Sequence, residues 1–204
     1  MPNPETLLLL TDVSKMTDAV AGKFASWLGN SEKKRLKAFV RDERRRQFLA
    51  GRALLRRTLA EIFSMTPVQI SLIERSGQGP ALDFPTILHV NFSISHSGQW
   101  VGCAVSTVSK VGLDIERIDE EREVLPMAEH AFTPTDLEFL KDSSGYEQRL
   151  RFYRTWCTYE AHFKLGQTSS ADYPLEVLGL VGVLACATPL AFEPELMLVS
   201  LDDI

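Results

Sequence analysis

Three short runs rich in β-branched residues, Val90 to Ile94, Val101 to Ser106 and Val111 to Glu116, follow one another with only turns between them. A long helical pattern from Ser31 to about Met65 precedes them. Strands of this length need partners to pair with, and a helix with a one-sided apolar stripe needs a sheet or a second helix to cover it. Together these elements restrict the chain to a mixed α+β fold. Within the helical stretch, Leu36, Phe39, Val40, Phe48, Leu49, Leu54, Leu55, Leu59 and Phe63 form the apolar side. Its length predicts a break near Arg41-Asp42. Upstream, Leu7 to Leu10 reads as a first strand, and Val20, Phe24 and Leu28 recur at helical spacing in a short helix around Thr17 to Leu28 that Gly29-Asn30 closes. Gly77-Gln78-Gly79-Pro80 and Asp83-Phe84-Pro85 punctuate a segment of short strands and turns, and Ser97-Gly98-Gln99 turns the first of the three runs into the second.

A second half begins near Ser106 to Lys110. Thr133-Pro134 predicts a helix start, with the threonine as N-cap and the proline in the first turn, and Tyr146 to Lys164 reads as a second helix. The apolar run Val177 to Phe192 is interrupted by Gly179, Gly182, Thr188 and Pro189 and is shorter than the roughly 18 to 20 residues of a membrane span, so it is expected to form two buried strands joined by a turn. Each half therefore combines one or two helices with a few strands, and the chain divides into residues 1–106 and 107–204. Met1-Pro2-Asn3-Pro4-Glu5 has no basic leader pattern. Cys103, Cys157 and Cys186 show neither CxxC spacing nor an even count, which argues against a disulfide framework or a structural zinc site and fits a reducing cytoplasm.

Charge is divided unevenly. Residues 1–105 carry 14 basic against 9 acidic side chains, and the remainder carries 8 against 18. Eleven basic residues lie between Lys33 and Arg57, where only Asp42 and Glu43 oppose them. Such a block suits phosphate binding, and it also suits a solvated helix face. The acidic second half, with no basic stripe interleaved with aromatics beyond Arg57, argues against general nucleic-acid binding.

Three clusters carry chemistry. In Val111-Gly112-Leu113-Asp114-Ile115-Glu116 the two acids stand two apart on a strand, so their carboxylates emerge on one face. Paired carboxylates of this kind suit a hard cation such as Mg²⁺, and such pairs also occur on solvent-facing strand ends. Glu160 and Lys164, four apart on the last helix, are neighbours on one face beside Phe152, Trp156 and Phe163. That spacing serves an ordinary surface ion pair or, in a cleft, metal and phosphate chemistry. Asn91-Phe92-Ser93-Ile94-Ser95-His96-Ser97 places hydroxyls and an imidazole at the end of a strand, groups suited to holding a phosphate. No Gly-x-Ser-x-Gly elbow accompanies them to support a serine nucleophile.

In order and spacing, NFSISHS, VGLDIE and WCTYEAHFK resemble the signatures of the surfactin-type phosphopantetheinyl transferase family, with 42 positions from Asp114 to Trp156; the likeness runs from about Arg46 to Lys164. The resemblance implies a pseudo-twofold pair of similar α+β halves with coenzyme A and Mg²⁺ in the cleft between them. It further implies transfer of the 4′-phosphopantetheine arm of coenzyme A to a serine of an acyl or peptidyl carrier protein, by a monomer. Carried over residue by residue, Asp114, Glu116 and Glu160 are the expected metal ligands, with Glu160 also the base for the carrier serine. Lys164 would neutralise the diphosphate. Ser95 and His96, with Arg46 and Arg52, would hold the adenosine 3′-phosphate side. Three positions depart from the family pattern: Tyr159 stands where the family has a lysine, Gln78-Gly79-Pro80 lacks the lysine of a Gly-Lys-Pro turn, and Leu165-Gly166-Gln167-Thr168 lacks the Gly-x-Gly continuation. These departures leave a relative that binds coenzyme A but transfers weakly as the alternative.

Overall fold

The computed structural model describes residues 5–86 and 89–204. The opening residues Met1 to Pro4, read for a basic leader pattern, lie outside them.

The expected first strand forms as β1 (Thr6–Asp12), followed by α1 (Asp18–Ser26) and α2 (Asn30–Ala38). The chain breaks at Phe39 to Arg41 before α3 (Asp42–Phe63), where the sequence places the interruption. Asp42 and Glu43 sit in the first turn of α3, opposite the positive end of its dipole. A small hairpin of β2 (Ser71–Ile73) and β3 (Ala81–Phe84) precedes β4 (Asn91–Ser97), β5 (Trp100–Ser106) and β6 (Val111–Arg117). Then come α4 (Leu125–Ala131), α5 (Pro134–Lys141) and α6 (Gly145–Leu165), with Thr133 capping α5 as its sequence predicts. β7 (Ala171–Val177), β8 (Leu180–Cys186) and β9 (Leu196–Leu198) complete the chain.

The strands form one sheet in the order β4-β5-β1-β9 and another in the order β6-β8-β7, apart from the hairpin. Strand periodicity decides how they stack. On β1 and β5, Leu9, Val101, Cys103 and Val105 face the first helices together with Leu49, Ala53, Leu54 and Leu55 of α3. Leu8, Leu10 and Ala104 point the other way, onto Val111, Leu113 and Ile115 of β6 and Leu180, Leu184 and Cys186 of β8. The opposite face of β8, with Val181, Val183 and Ala185, packs on Phe152, Tyr153, Cys157 and Ala161 of α6. The result is four layers in the order α3, sheet, sheet, α6, and each half contributes a long helix laid on its own sheet. This is the expected α+β architecture.

Two details differ from the sequence reading. The run Val177 to Phe192 supplies one strand rather than two, because the partner of β8 is β7, which precedes the run. β8 is central and buried on both faces, hence unbroken in hydrophobicity. The edge strand β7 alternates half-buried and exposed positions, so it leaves no apolar run to read. The last residues also return to the first half: β9 pairs in parallel with β1, and Leu201 and Ile204 join the core under α3.

The contact between α6 and β6 is backbone on backbone at Gly112, where an added Cβ would stand 2.0 Å from the Ala161 carbonyl oxygen and 2.6 Å from the Leu165 nitrogen. Neither group can yield without moving the helix. Gly112→Ala is therefore expected to destabilise the protein by roughly 3 kcal/mol, read as a lower urea midpoint in equilibrium unfolding.

Candidate active site

β6 is the edge of its sheet, so the N–H groups of Leu113, Ile115 and Arg117 have no strand to pair with on that side. β4, the edge of the other sheet, supplies serine hydroxyls instead. Ser93 Oγ accepts from Leu113 N at 2.9 Å, Ser95 Oγ from Ile115 N at 3.3 Å and Ser97 Oγ from Arg117 N at 3.0 Å. Alternation along β4 makes this possible, since residues two apart share a face. The same hydroxyls also act as donors: Ser95 Oγ to Asp114 Oδ1 at 2.9 Å and Ser97 Oγ to Glu116 Oε2 at 2.6 Å. Each serine thus fixes a strand edge, and the latter two also hold a carboxylate.

Gly112, Asp114 and Glu116 turn toward α6. Lys164, in the last turn of that helix, donates to Asp114 Oδ1 at 2.6 Å and to Ser95 Oγ and Leu113 O at 3.1 Å each. Asp114 is only 4% exposed, and its second oxygen, Oδ2, is buried without a hydrogen-bond partner among the described residues. Burial raises the Glu116 carboxyl above its usual range, Ser97 opposes the shift, and neighbouring Asp114 reinforces it. Burial likewise pushes the Cys157 thiol up, with Asp114 and Glu116 adding to the effect, so this cysteine stays protonated beneath the acid pair.

On the other face of β4, Phe92, Ile94 and His96 border a cleft of about 740 Å³ between the halves. Arg44, Gln47, Phe48, Gly51 and Arg52 of α3 form one wall, Gly77 to Pro80 another, and Glu160, Phe163 and Lys164 of α6 the third. Arg35 and Arg75 bring its cations to five, against the single carboxylate of Glu160. Such a surface attracts a polyanion. Gly51 allows β4 to approach, since a Cβ there would stand 3.0 Å from Ile94 Cγ2. Arg44 Nη1 lies 2.7 Å from His96 Nε2 and 2.9 Å from Gln47 Oε1. Burial, with the charge of Arg44 beside it, pushes the His96 imidazole down to about 4.

The sequence candidates are distributed as follows. Glu160, Lys164, His96 and Arg52 line the cleft. Arg52 is held by Glu74, with Arg52 Nη2 2.5 Å from Glu74 Oε1, and lies over the Phe48 ring. Ser95 is 4% exposed and is engaged with Asp114 and Lys164 rather than with the cleft. Arg46 is not among the cleft-lining residues. It bonds Asp42 one turn earlier on α3 and the Met16 carbonyl, facing α1. The cleft cation from that stretch is Arg44, which the sequence reading did not single out. Its signal was available: Arg44, Phe48, Gly51 and Arg52 recur at three- and four-residue spacing, whereas the Asp42/Arg46 pair marks an outer face. Tyr159 also turns away from the cleft: its hydroxyl donates to Asp136 and accepts from Thr133 N at 3.3 Å, pinning α6 to the start of α5.

Asp114, Glu116 and Glu160 all belong to the β6–α6 junction, but no three His, Cys, Asp or Glu side chains among the described residues stand close enough together to hold a metal ion. The donor chemistry nonetheless fits a hard cation. A buried carboxylate oxygen with no partner, beside a second carboxylate whose charged form is disfavoured by burial, is relieved by a positive charge.

Residues 17–108 match the family model described as 4′-phosphopantetheinyl transferase, N-terminal, and residues 110–174 match that of the 4′-phosphopantetheinyl transferase superfamily. Among individual relatives, the 4′-phosphopantetheinyl transferase HetI of Nostoc sp. is 28% identical over 172 residues, covering 80% of this chain and 73% of its own. A 4′-phosphopantetheinyl transferase of Bacillus subtilis is 28% identical over 65% of this chain and 57% of its own. The 4′-phosphopantetheinyl transferase gsp of Aneurinibacillus migulanus is 30% identical over 66% of this chain and 55% of its own. The chain thus spans little more than half the length of the latter two.

His96 gives the site a pH dependence. Its folded pKa of about 4 lies below the ordinary 6.5, so between those values the unfolded chain takes up the proton first, and stability falls as pH falls through that window. Unfolding at about pH 5 should show the wild type losing about 2 kcal/mol relative to neutral pH through this group. The loss should be absent in His96→Asn when both proteins are unfolded in urea across the pH range.

Proposed function

The chain belongs to the 4′-phosphopantetheinyl transferase superfamily, and on that premise we propose that it transfers the 4′-phosphopantetheine arm of coenzyme A to a serine of an acyl or peptidyl carrier protein. The observation that carries this reading is the pairing of a five-cation cleft with a buried, incompletely satisfied acid pair across a single strand. One face accommodates a phosphorylated nucleotide, and the other a divalent cation.

In this reading His96 and Arg44 meet the adenosine 3′-phosphate, with Arg52 and Arg35 widening the cationic wall. His96 is neutral in the free protein and lies against the Arg44 guanidinium, whose Nη1 is 2.8 Å from its Nδ1 and 2.7 Å from its Nε2, so the donors offered to the phosphate there are those of Arg44. Arg75, whose Nε donates to the Gly79 carbonyl at 3.1 Å, borders the cleft beside Gln78, where the family pattern carries a lysine. Asp114 and Glu116 would hold Mg²⁺, which would supply charge neutralisation to the diphosphate, and Glu160, which stands at the cleft wall apart from that pair, would join them as a ligand only by moving its side chain. The carboxylate of Glu160, at the cleft wall, takes the proton of the carrier serine. The serine oxygen forms a bond to the β-phosphorus while the bond to 3′,5′-ADP breaks, and that leaving group carries the negative charge into the cationic cleft. Positioning and charge compensation supply the acceleration, and no covalent enzyme intermediate is needed.

The protein acts as a monomer in this reading, in a reducing cytoplasm where Cys103, Cys157 and Cys186 stay as the buried thiols they are in the structure. None of the described helices is long and apolar enough to cross a membrane.

The test is to mix the protein with an apo carrier protein, coenzyme A and Mg²⁺ and weigh the carrier. The wild type should add one phosphopantetheine mass. Asp114→Ala and Glu160→Ala should each slow that addition about a hundredfold or more while their circular dichroism stays that of the wild type. A carrier that never gains mass with the wild type, although coenzyme A binds, identifies a binding relative instead. Full activity in both variants rejects the assignment of roles.

A further inference from the structure

Lys164 is the most fully committed cation of the cleft. An ammonium has three N–H bonds to give, and those of Lys164 reach Asp114 Oδ1 at 2.6 Å, Ser95 Oγ at 3.1 Å and Leu113 O at 3.1 Å. Nothing is left over for a ligand while it stays there. Asp114 in turn has no other cation within salt-bridge distance among the described residues, and its burial makes an uncompensated charge expensive. Yet this lysine is not locked in the core. Its side chain is 28% exposed, it borders the anion-attracting cleft, and its four-carbon stem is flexible.

Asp114 is therefore faced by one mobile positive charge on Oδ1, while Oδ2 is buried with no hydrogen-bond partner within ordinary distance among the described residues, the Cys157 thiol lying beneath it. A divalent ion brought to this carboxylate meets the ammonium at the shortest range at which two cations can share a ligand, and one of them must leave. We propose that Lys164 is an exchangeable internal counter-cation: it neutralises Asp114 until a divalent ion takes that carboxylate, and its ammonium then turns into the cleft toward the bound anion. The inference rests on the metal-binding reading of Asp114 given above. It makes the two faces of the site interdependent. Metal releases the lysine that the anion needs, and an anion draws off the lysine that opposes the metal, so each favours the other through one side chain.

Metal binding alone tests this, with no coenzyme and no carrier present. Lys164→Met and Lys164→Gln should bind Mn²⁺ about tenfold or more tightly than the wild type, because a unit charge beside the ion has been removed. Lys110→Gln, at an exposed site, should leave the affinity unchanged and controls for net charge. Calorimetric titration or the paramagnetic resonance of free Mn²⁺ reads the affinity, and circular dichroism confirms the fold. Should both variants fail to fold, ¹⁵N spectra of the wild-type lysine ammonium groups give a second reading. A slowly exchanging Lys164 signal should be lost as Mg²⁺ is added. Unchanged or weaker metal affinity in the folded variants overturns the proposal, as does a Lys164 signal that persists through metal saturation. Because no transfer step is measured, absence of transferase activity leaves this result standing. Wild-type-like metal affinity in the variants removes the role of Lys164 without touching the transfer reading, whereas a protein that binds no metal at all ends both.

Discussion

The serine hydroxyls of β4 hold the molecule's two halves in register. Sheet edges normally pair backbone to backbone or remain exposed, and here neither happens. Ser93, Ser95 and Ser97 stand in for a missing strand against Leu113, Ile115 and Arg117. Each such bond contributes about 1 kcal/mol net, but leaving the buried donors of Leu113 and Ile115 unpaired would cost more than that. Because side chains rather than main chain bridge the gap, the sheets stay separate. They stack face to face over Leu8, Leu10, Leu113 and Leu184 instead of merging into one surface. That stacking in turn obliges the alternate residues of β6, Asp114 and Glu116, to face α6.

The basic block between Lys33 and Arg57 is sorted by burial. Arg56 is 1% exposed and is bound through two nitrogens by Glu32, at 2.8 and 2.5 Å, while Glu32 Oε2 also accepts from Gly29 N at 2.9 Å to cap α2. Breaking one partner of a buried pair is more damaging than never having had the pair, so this cluster ties α2 to α3 firmly. Glu74 extends it, meeting Arg52 at 2.5 Å and Arg35 at 3.4 Å. These arginines reach the cleft from an anchored base, their geometry set before any ligand arrives. Arg57, by contrast, pairs with Glu61 one turn away, and Arg46 pairs with Asp42 and Asp18 while donating to the Met16 carbonyl; these ion pairs lie on outer faces and contribute little.

Elements with strong periodicity were legible in the sequence: the broken helix at Arg41-Asp42, the three strands from Val90 onward and the Thr133 cap all follow from local rules. So were His96, Arg52, Glu160 and Lys164 as cleft residues, since motif spacing marks them. What escaped were matters of tertiary direction. β7 hides its pairing behind alternation, and β9 is three residues long. Arg44 and Arg46 differ by two positions, about 200° around a helix, and composition treats them alike. In the sequence Tyr159 stands as a lost cation, yet its ring is turned to Phe132 and its hydroxyl to Asp136, an orientation fixed by the packing of α5 rather than by anything adjacent in sequence. Likewise, nothing local says that the Ser95 hydroxyl serves a carboxylate instead of the cleft.

The period of two along β4 also organises the electrostatics. Phe92, Ile94 and His96 look into the space ringed by Arg35, Arg44, Arg52 and Arg75, and Ser93, Ser95 and Ser97 look toward the strand that carries Asp114 and Glu116. One strand thus separates a cationic compartment from an anionic one by the thickness of a pleat. Placed together without that partition, the arginines and the acids would neutralise each other as ordinary ion pairs, and neither would remain for a ligand. The partition fails at one point, where α6 passes over both sides and Lys164 reaches across to Asp114. Chemistry that brings a phosphate and a divalent ion together needs the two compartments kept apart until both ligands arrive. The single connection between them belongs on a flexible side chain, because a rigid one could not serve first one side and then the other.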